Sequence, residues 1–190
     1  MDDRSELAAF EDLAMARRTS LRMRRDEAIP LDLVERLCGV AQWAPNHHKT
    51  WPMRFAIFTG EARFRLGTTI SDAMAASGLD DAVKLQKFRV KYGRAPVMVV
   101  VGSAPGDDSK RTLENRDATA AGVQNLLLAA TAAGLASFWS SGAAPADHAI
   151  AEMCGWEAGT VMVAVIYLGW PDGDVPVPPR PSPSVVRLDS

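Results

Sequence analysis

The sequence predicts a layered domain of helices packed on a small sheet, α/β or α+β in class, with one long apolar helix near its centre. Three observations predict it. Two short runs, PVMVVVG (96–102) and VMVAVIYL (161–168), are continuous and rich in β-branched residues, as strands covered on both faces are. Helix-compatible segments separate the strand candidates, so strands and helices alternate along the chain. Residues 118–139, ATAAGVQNLLLAATAAGLASFW, carry no charge, so protein has to cover much of the helix they form. At 190 residues the chain is read as a single domain, 1–190, ending in an extended segment.

The elements follow in order. Ser5 can cap a first helix with Leu7, Phe10, Leu13 and Ala14 at spacings of three and four, running to Arg17–Arg18. TSLRMRRDEAIP is irregular. Leu31–Trp43 is a second helix, with Leu33, Val34, Leu37, Val40 and Ala41 on one face, stopped by Ala44–Pro45. The stretch WAPNHHKTWPMRF (43–55) then places two adjacent histidines between prolines, where a helix cannot form. Arg54–Thr59 alternates as a strand does. Ala62–Ala76 and Asp80–Tyr92 are polar helices broken at Ser77–Gly78. The long helix covers about 113–134 and ends at Gly134. Leu135–Trp139 is a short strand and Pro145–Met153 a short helix. Residues 171–190 hold six prolines, so the tail, 172–190, is extended and packs no helix. No repeat or second domain is visible.

A net charge of −2 and a pI near 5.9 point to neither nucleic acid nor a membrane surface as partner. Residues 118–139 are long enough to span a bilayer, but half of them are Ala, Gly, Ser or Thr, and Gln124 and Asn125 sit near the middle. A buried helix is the reading adopted, and covering its whole surface calls for a dimer. The acidic start of the chain is no secretory signal. Cys38 and Cys154 are far apart and form no CxxC, as expected of reduced thiols in a cytoplasmic protein.

Metal chemistry has little support. His47, His48 and His148 form no HxxxH or HExxH, and adjacent histidines on an extended loop are expected to point apart. Ser140–Ser141–Gly142 follows a strand, as a reactive serine can, with His148 seven residues on, so a serine hydrolase is one alternative. RRTSLRMRR (17–25) gathers Arg17, Arg18, Arg22, Arg24 and Arg25 with two hydroxyls at a helix end. That is either a phosphate site or a solvated basic terminus. Neither GxGxxG nor a Walker sequence is present.

Four stretches together resemble the FMN-dependent nitroreductase family, its short single-domain branch in particular. They are Arg17–Arg18–Thr19, APNHHKTWPMRF (44–55), GLASFWSSG (134–142) and YLGWP (167–171), which cover nearly the whole chain in family order. The resemblance implies an α+β nitroreductase-like fold: a small mixed sheet flanked by helices around a long central helix. It also implies an intertwined homodimer with two FMN sites at its interface.

Arg17, Arg18 and Thr19 would then hold the FMN phosphate and ribityl chain. Trp43, Asn46 and His47 would reach the cofactor from the partner subunit, while His48 faces solvent or its own loop. Trp139, Ser140, Ser141 and Gly142 would pass beside the isoalloxazine. The implied activity is an NAD(P)H oxidoreductase that passes hydride through flavin to nitroaromatic, quinone-type or other small acceptors, with no side chain required as acid or base. A flavin store or sensor of the same fold is the other alternative. Two departures stand out: related sequences often read QPW where this one reads Trp51–Pro52–Met53, and often carry arginine where it has Ser140. Arg22 and Arg180 are candidates for the missing charge, and Trp43, Trp51, Phe88 and Trp139 for stacking surfaces.

Overall fold

The computed structural model describes residues 5–188; the first four residues and the last two of the tail lie outside the described residues. Among the described residues six α-helices and four strands follow in the order α1 (Glu6–Ala16), α2 (Leu31–Ala41), β1 (Met53–Thr59), α3 (Ala62–Ala76), α4 (Ala82–Lys91), β2 (Val97–Ser103), α5 (Ser109–Ala132), β3 (Ala136–Ser141), α6 (Asp147–Cys154) and β4 (Val161–Gly169). The Ser5 hydroxyl caps α1 by accepting the Ala8 N–H at 3.2 Å, as its position predicts. Helix α5 starts four residues earlier than its apolar pattern does, because Asp108 accepts the Arg111 N–H at 2.7 Å and caps it there. It stops at Gly134, whose φ of +77° a side chain would strain.

The sheet runs β1-β2-β4-β3, and every neighbouring pair is antiparallel. The expected mixed sheet is therefore mixed only through an isolated parallel bridge, Thr19 to Ser137. Strand alternation divides the core in two. Val97, Val99, Val101, Ala164, Ile166 and Leu168 face α2 and α5. Met98, Val100, Val165 and Tyr167 face α3 and α6. Both faces of β2 and β4 are thus covered, which explains their unbroken apolar sequences.

Helix α5 buries one stripe, including Ala118, Gly122, Val123, Leu126, Leu127 and Ala130. Its other side, with Ala121, Leu128 and Ala129, is only half covered. Helix α1 packs against α5 yet buries none of its residues; Leu7, Phe10 and Met15 are exposed. Among the described residues no helix is long and apolar enough to cross a membrane. Both cysteines are free, and burial pushes each thiol up to about 11, Cys38 with added help from Glu35.

From Asp172 to Leu188 the described residues form no helix or strand. This tail is tied back at Arg22: Asp172 N–H donates to the Arg22 carbonyl at 3.0 Å, and Arg22 Nη1 donates to the Asp174 carbonyl at 3.0 Å. Val177, Val185, Val186 and Leu188 then lie exposed along the tail.

Candidate functional site

The end of α1 runs beside the outer edge of β3. Ser20 N–H donates to the Ser137 carbonyl at 2.9 Å, extending the bridge from Thr19. This pairing sets Arg17, Arg18 and Thr19 around a cavity of about 250 Å³, closed on the far side by Val175, Pro176, Pro178 and Arg180 of the tail. Arg18 also reaches a neighbouring cavity of about 280 Å³ with Ser20, Gly134 and Asp174. One of its guanidinium nitrogens, Nη1, donates to the Arg17 carbonyl at 2.6 Å, while Nε is buried without a hydrogen-bond partner. A buried cationic donor with nothing to bond is costly, and an arriving anion relieves that cost. Arg180 therefore belongs to this end of the site. Arg22 is spent on the tail carbonyl.

Strand β3 leads from this cavity to a second one. From Ser137 to Ser141 the strand covers about 13 Å at ~3.3 Å per residue. Beyond Ser137 no described strand pairs with its outer edge, so backbone groups there are available to a ligand. Trp139, Ser141 and Gly142 line a cavity of about 520 Å³ together with Ser109, Thr112, Leu113 and Arg116 of α5 and Asp147 of α6. Ser140 is not among its lining residues, because alternation turns that side chain to the other face. Asp147 accepts the Met162 N–H at 3.0 Å, and burial raises its pKa above the ordinary carboxylate value. Two of the four stretches singled out from sequence thus meet along one strand.

The serine hydrolase alternative finds no geometry among the described residues. Ser140 Oγ points to the Ser141 carbonyl at 3.4 Å, and His148 Nε2 faces Glu152 at 3.5 Å. Nothing here pairs a serine with a base.

The histidine loop is shaped by a buried amide. Asn115 of α5 donates to the Ala104 carbonyl at 3.1 Å and accepts the Thr50 hydroxyl at 2.6 Å. Asn46 spends both ends of its own amide inside the loop, Oδ1 on the Trp51 N–H at 2.9 Å and Nδ2 on Thr50 at 3.0 Å. His48, Lys49 and Trp51 adopt left-handed conformations, with φ of +62°, +53° and +50°. Asn115→Ala is expected to lower stability by about 1–3 kcal/mol, because a carbonyl and a hydroxyl lose their buried partner. Urea unfolding reads the loss, and an unchanged midpoint would show that the loop stands without its anchor.

Left-handed His48 also corrects the expectation that the two imidazoles point apart. Their ring centroids lie 3.8 Å from one another, and with Glu114 they place three ligand-type atoms within 4.8 Å. His47 Nδ1 and Arg111 Nη1 both stand 3.1 Å from Glu114 Oε2. Desolvation raises the Glu114 pKa, but the His47 hydrogen bond and the His47 and Arg111 charges outweigh it and hold the carboxyl below its usual range. With a guanidinium already on the carboxylate, the cluster is a hydrogen-bonded anchor for the loop on α5.

Helix geometry divides these groups. Residues 109, 112, 113 and 116 face the large cavity, whereas 111, 114, 115 and 118 fall on the opposite side of α5 at 100° per residue. The histidine loop of one chain is therefore turned away from that chain's own cavity. Trp43, 86% exposed, and Trp51, 56% exposed, project from the loop region, largely uncovered by the described residues. Phe88 lies in the other layer, beneath Lys91 at 4.5 Å, and is not brought to the site.

These features have relatives. The sequence model of the Nitroreductase family matches residues 15–170. A Bacillus subtilis (strain 168) protein named "Putative NAD(P)H nitroreductase YfhC" is 28% identical over 167 residues, 87% of this chain and 86% of its own. The fold superposes on the nitroreductase-like family protein from Bacillus cereus with a TM-score of 0.76 at 23% identity, covering 96% of this chain and 94% of that one. It also superposes on the FMN-dependent nitroreductase NfnB from Mycobacterium smegmatis, solved in complex with NADPH, with a TM-score of 0.72 at 20% identity, covering 96% and 100%. Because the family match runs from before the arginine pair to the end of β4, the chain belongs to the nitroreductase family.

Proposed function

We propose that the chain is an FMN-dependent NAD(P)H oxidoreductase acting as a homodimer. The observation that carries this reading is the buried, unpartnered Arg18 Nε in a cavity with Arg17, Thr19 and Arg180, joined by β3 to the cavity of Trp139, Ser141 and Gly142. The donor set suits FMN at both ends: guanidinium forks and a hydroxyl for a phosphate, an unpaired strand edge and an aromatic wall for a flat ring. The chemistry that FMN supplies when bound is hydride transfer from NADH or NADPH to a small acceptor of nitroaromatic or quinone type, donor and acceptor using the cleft in turn.

The chain's own residues bind, orient and exclude water. Arg17, Arg18 and Thr19 hold the phosphate, and Arg180 closes over it from the tail. Backbone groups of Trp139–Gly142 fix the ring edge, and Ser140 contributes only through its backbone. Trp43 and His47 of a second copy cover the cleft, with Asn46 holding the shape of the loop that carries them. A second copy is needed because each chain turns its own loop away from its own cavity. It would also cover α1 and the half-exposed side of α5.

The first test is the visible spectrum of the purified protein, recorded anaerobically before and after NADH or NADPH. Flavin bands that bleach with a nucleotide support the reading, and the faster nucleotide is the preferred donor. A colourless protein that gains no bands from added FMN overturns it. Deleting residues 172–190 is expected to weaken the dimer, since the exposed valines and Leu188 would lose the partner surface they cover. Light scattering across a dilution series reads this, and an unchanged dimer would count against a tail that crosses the partner.

A further inference from the structure

Arg116 is the charged group of the larger cavity that the proposed function leaves without a task. It stands on α5 one turn beyond Thr112 and Leu113, facing Ser141 and Gly142. Four other arginines are committed: Arg54 to Glu157, Arg63 to the Ala95 carbonyl, Arg89 to Asp72 and Arg111 to Glu114. Arg116 makes no hydrogen bond or ion pair with any described residue. Asp147, the other charged group lining the cavity, is half-buried and bonded to the Met162 N–H, on the α6 side. Leu113, Trp139, Val161 and Val163 add apolar surface to the same lining. The cavity therefore combines apolar walls with the Arg116 guanidinium and the hydroxyls of Ser109 and Thr112.

We infer that this cavity takes a planar acceptor bearing an anionic group, such as a carboxylate, phenolate or sulfonate, and that Arg116 binds that group. The volume of about 520 Å³ is shared between the flavin ring and the acceptor packed beside it. With the Trp139 wall given to the flavin ring, an aromatic body packs on Leu113, Val161 and Val163, and the planar guanidinium forks onto two oxygens of the anion. Asp147, the acidic group of the lining, repels the anion from the α6 side and so favours its placement toward α5. The inference rests on the oxidoreductase reading. A nicotinamide nucleotide carries phosphates of the same chemistry, so the experiment separates the two sources of anion.

The experiment compares the wild type with Arg116→Gln and Arg116→Lys, using 4-nitrobenzoate and nitrobenzene as acceptors and NADH and NADPH as donors. For Arg116→Gln, KM for 4-nitrobenzoate is expected to rise roughly tenfold with kcat nearly kept, the effect of one lost charge-assisted contact. KM for nitrobenzene and the NADH-to-NADPH preference should hold, and Arg116→Lys should restore part of the loss. Equal changes with both acceptors overturn the inference. A loss confined to NADPH also overturns it and assigns the cation to the nucleotide.

Calorimetric binding of 4-nitrobenzoate to the purified protein without nucleotide gives a readout free of turnover. Arg116-dependent binding in a protein that never oxidises NAD(P)H would sustain the anion site while the oxidoreductase reading fails. Oxidation of NAD(P)H with no Arg116-dependent binding would do the reverse.

Discussion

Arg18→Ala is expected to raise the dissociation constant for FMN by on the order of 10- to 100-fold, the loss of one charged, two-pronged phosphate contact. The same change should leave the flavin-free protein as stable as before, or slightly more stable. Both signs come from one atom. Arg18 Nε is buried and bonds to nothing, while Nη1 rests on the Arg17 carbonyl at 2.6 Å. Truncation removes an uncompensated buried donor from the ligand-free protein and a phosphate ligand from the complex. Flavin fluorescence titration measures the first effect and thermal melting of the flavin-free protein the second. Arg18→Lys should fall between, because an ammonium keeps the charge and loses the fork. A variant that retains flavin with wild-type affinity would place the phosphate elsewhere, and a flavin-free form that melts much earlier would make Arg18 a structural residue.

What the sequence reveals and what it hides follow from what each pattern encodes. β2 and β4 were legible because both faces are covered, which leaves an unbroken apolar run. Their direction was not, since such runs look alike in parallel and antiparallel neighbours and the order β1-β2-β4-β3 lies in the connections. The start of α5 was misplaced for a simpler reason. Hydrophobic spacing begins near residue 113, but the capping carboxylate of Asp108 begins the helix at Ser109, within reach of a reading that weighs caps before periodicity. In α1 the spacing of Leu7 and Phe10 marks an apolar face that this chain leaves exposed, and local spacing carries no information on what covers it.

The site shows the same division. The arginine pair and the WSSG stretch are visible as residue types, and their union along β3 depends on the Thr19–Ser137 bridge, a long-range contact no local pattern encodes. Ser140 could have been separated from Trp139 and Ser141 by strand alternation alone. Arg116 could not, because its meaning depends on which side of α5 meets β3. The histidine loop resisted most. Flanking prolines exclude a long helix, but a run of left-handed residues at 48, 49 and 51 is set by Asn46, Thr50 and Asn115 acting together. Those hydrogen bonds, not the histidines, decide where the rings go.

Gly142→Ala is expected to damage both fold and activity. A β-carbon at Gly142 would clash with the Met162 carbonyl oxygen and lie 3.0 Å from the Met162 carbonyl carbon. These are backbone atoms in β4, which pairs on its other edge with β2, so they cannot step aside as a flexible side chain would. The loss of stability should be about 1–3 kcal/mol, the usual cost of overpacking. For a chain of this size that is a fall in Tm of roughly 2–12 °C.

The effect on turnover should be larger than stability alone explains. If Gly142 yields instead of Met162, the segment after Ser141 is pushed outward by the order of an ångström, and reacting groups displaced that far lose about 100-fold in rate. Activity measured well below the lowered Tm separates misplacement from unfolding. A variant with wild-type Tm and wild-type turnover would show that the turn after β3 absorbs a methyl group freely, and then Gly142 would have no part in positioning the ring edge.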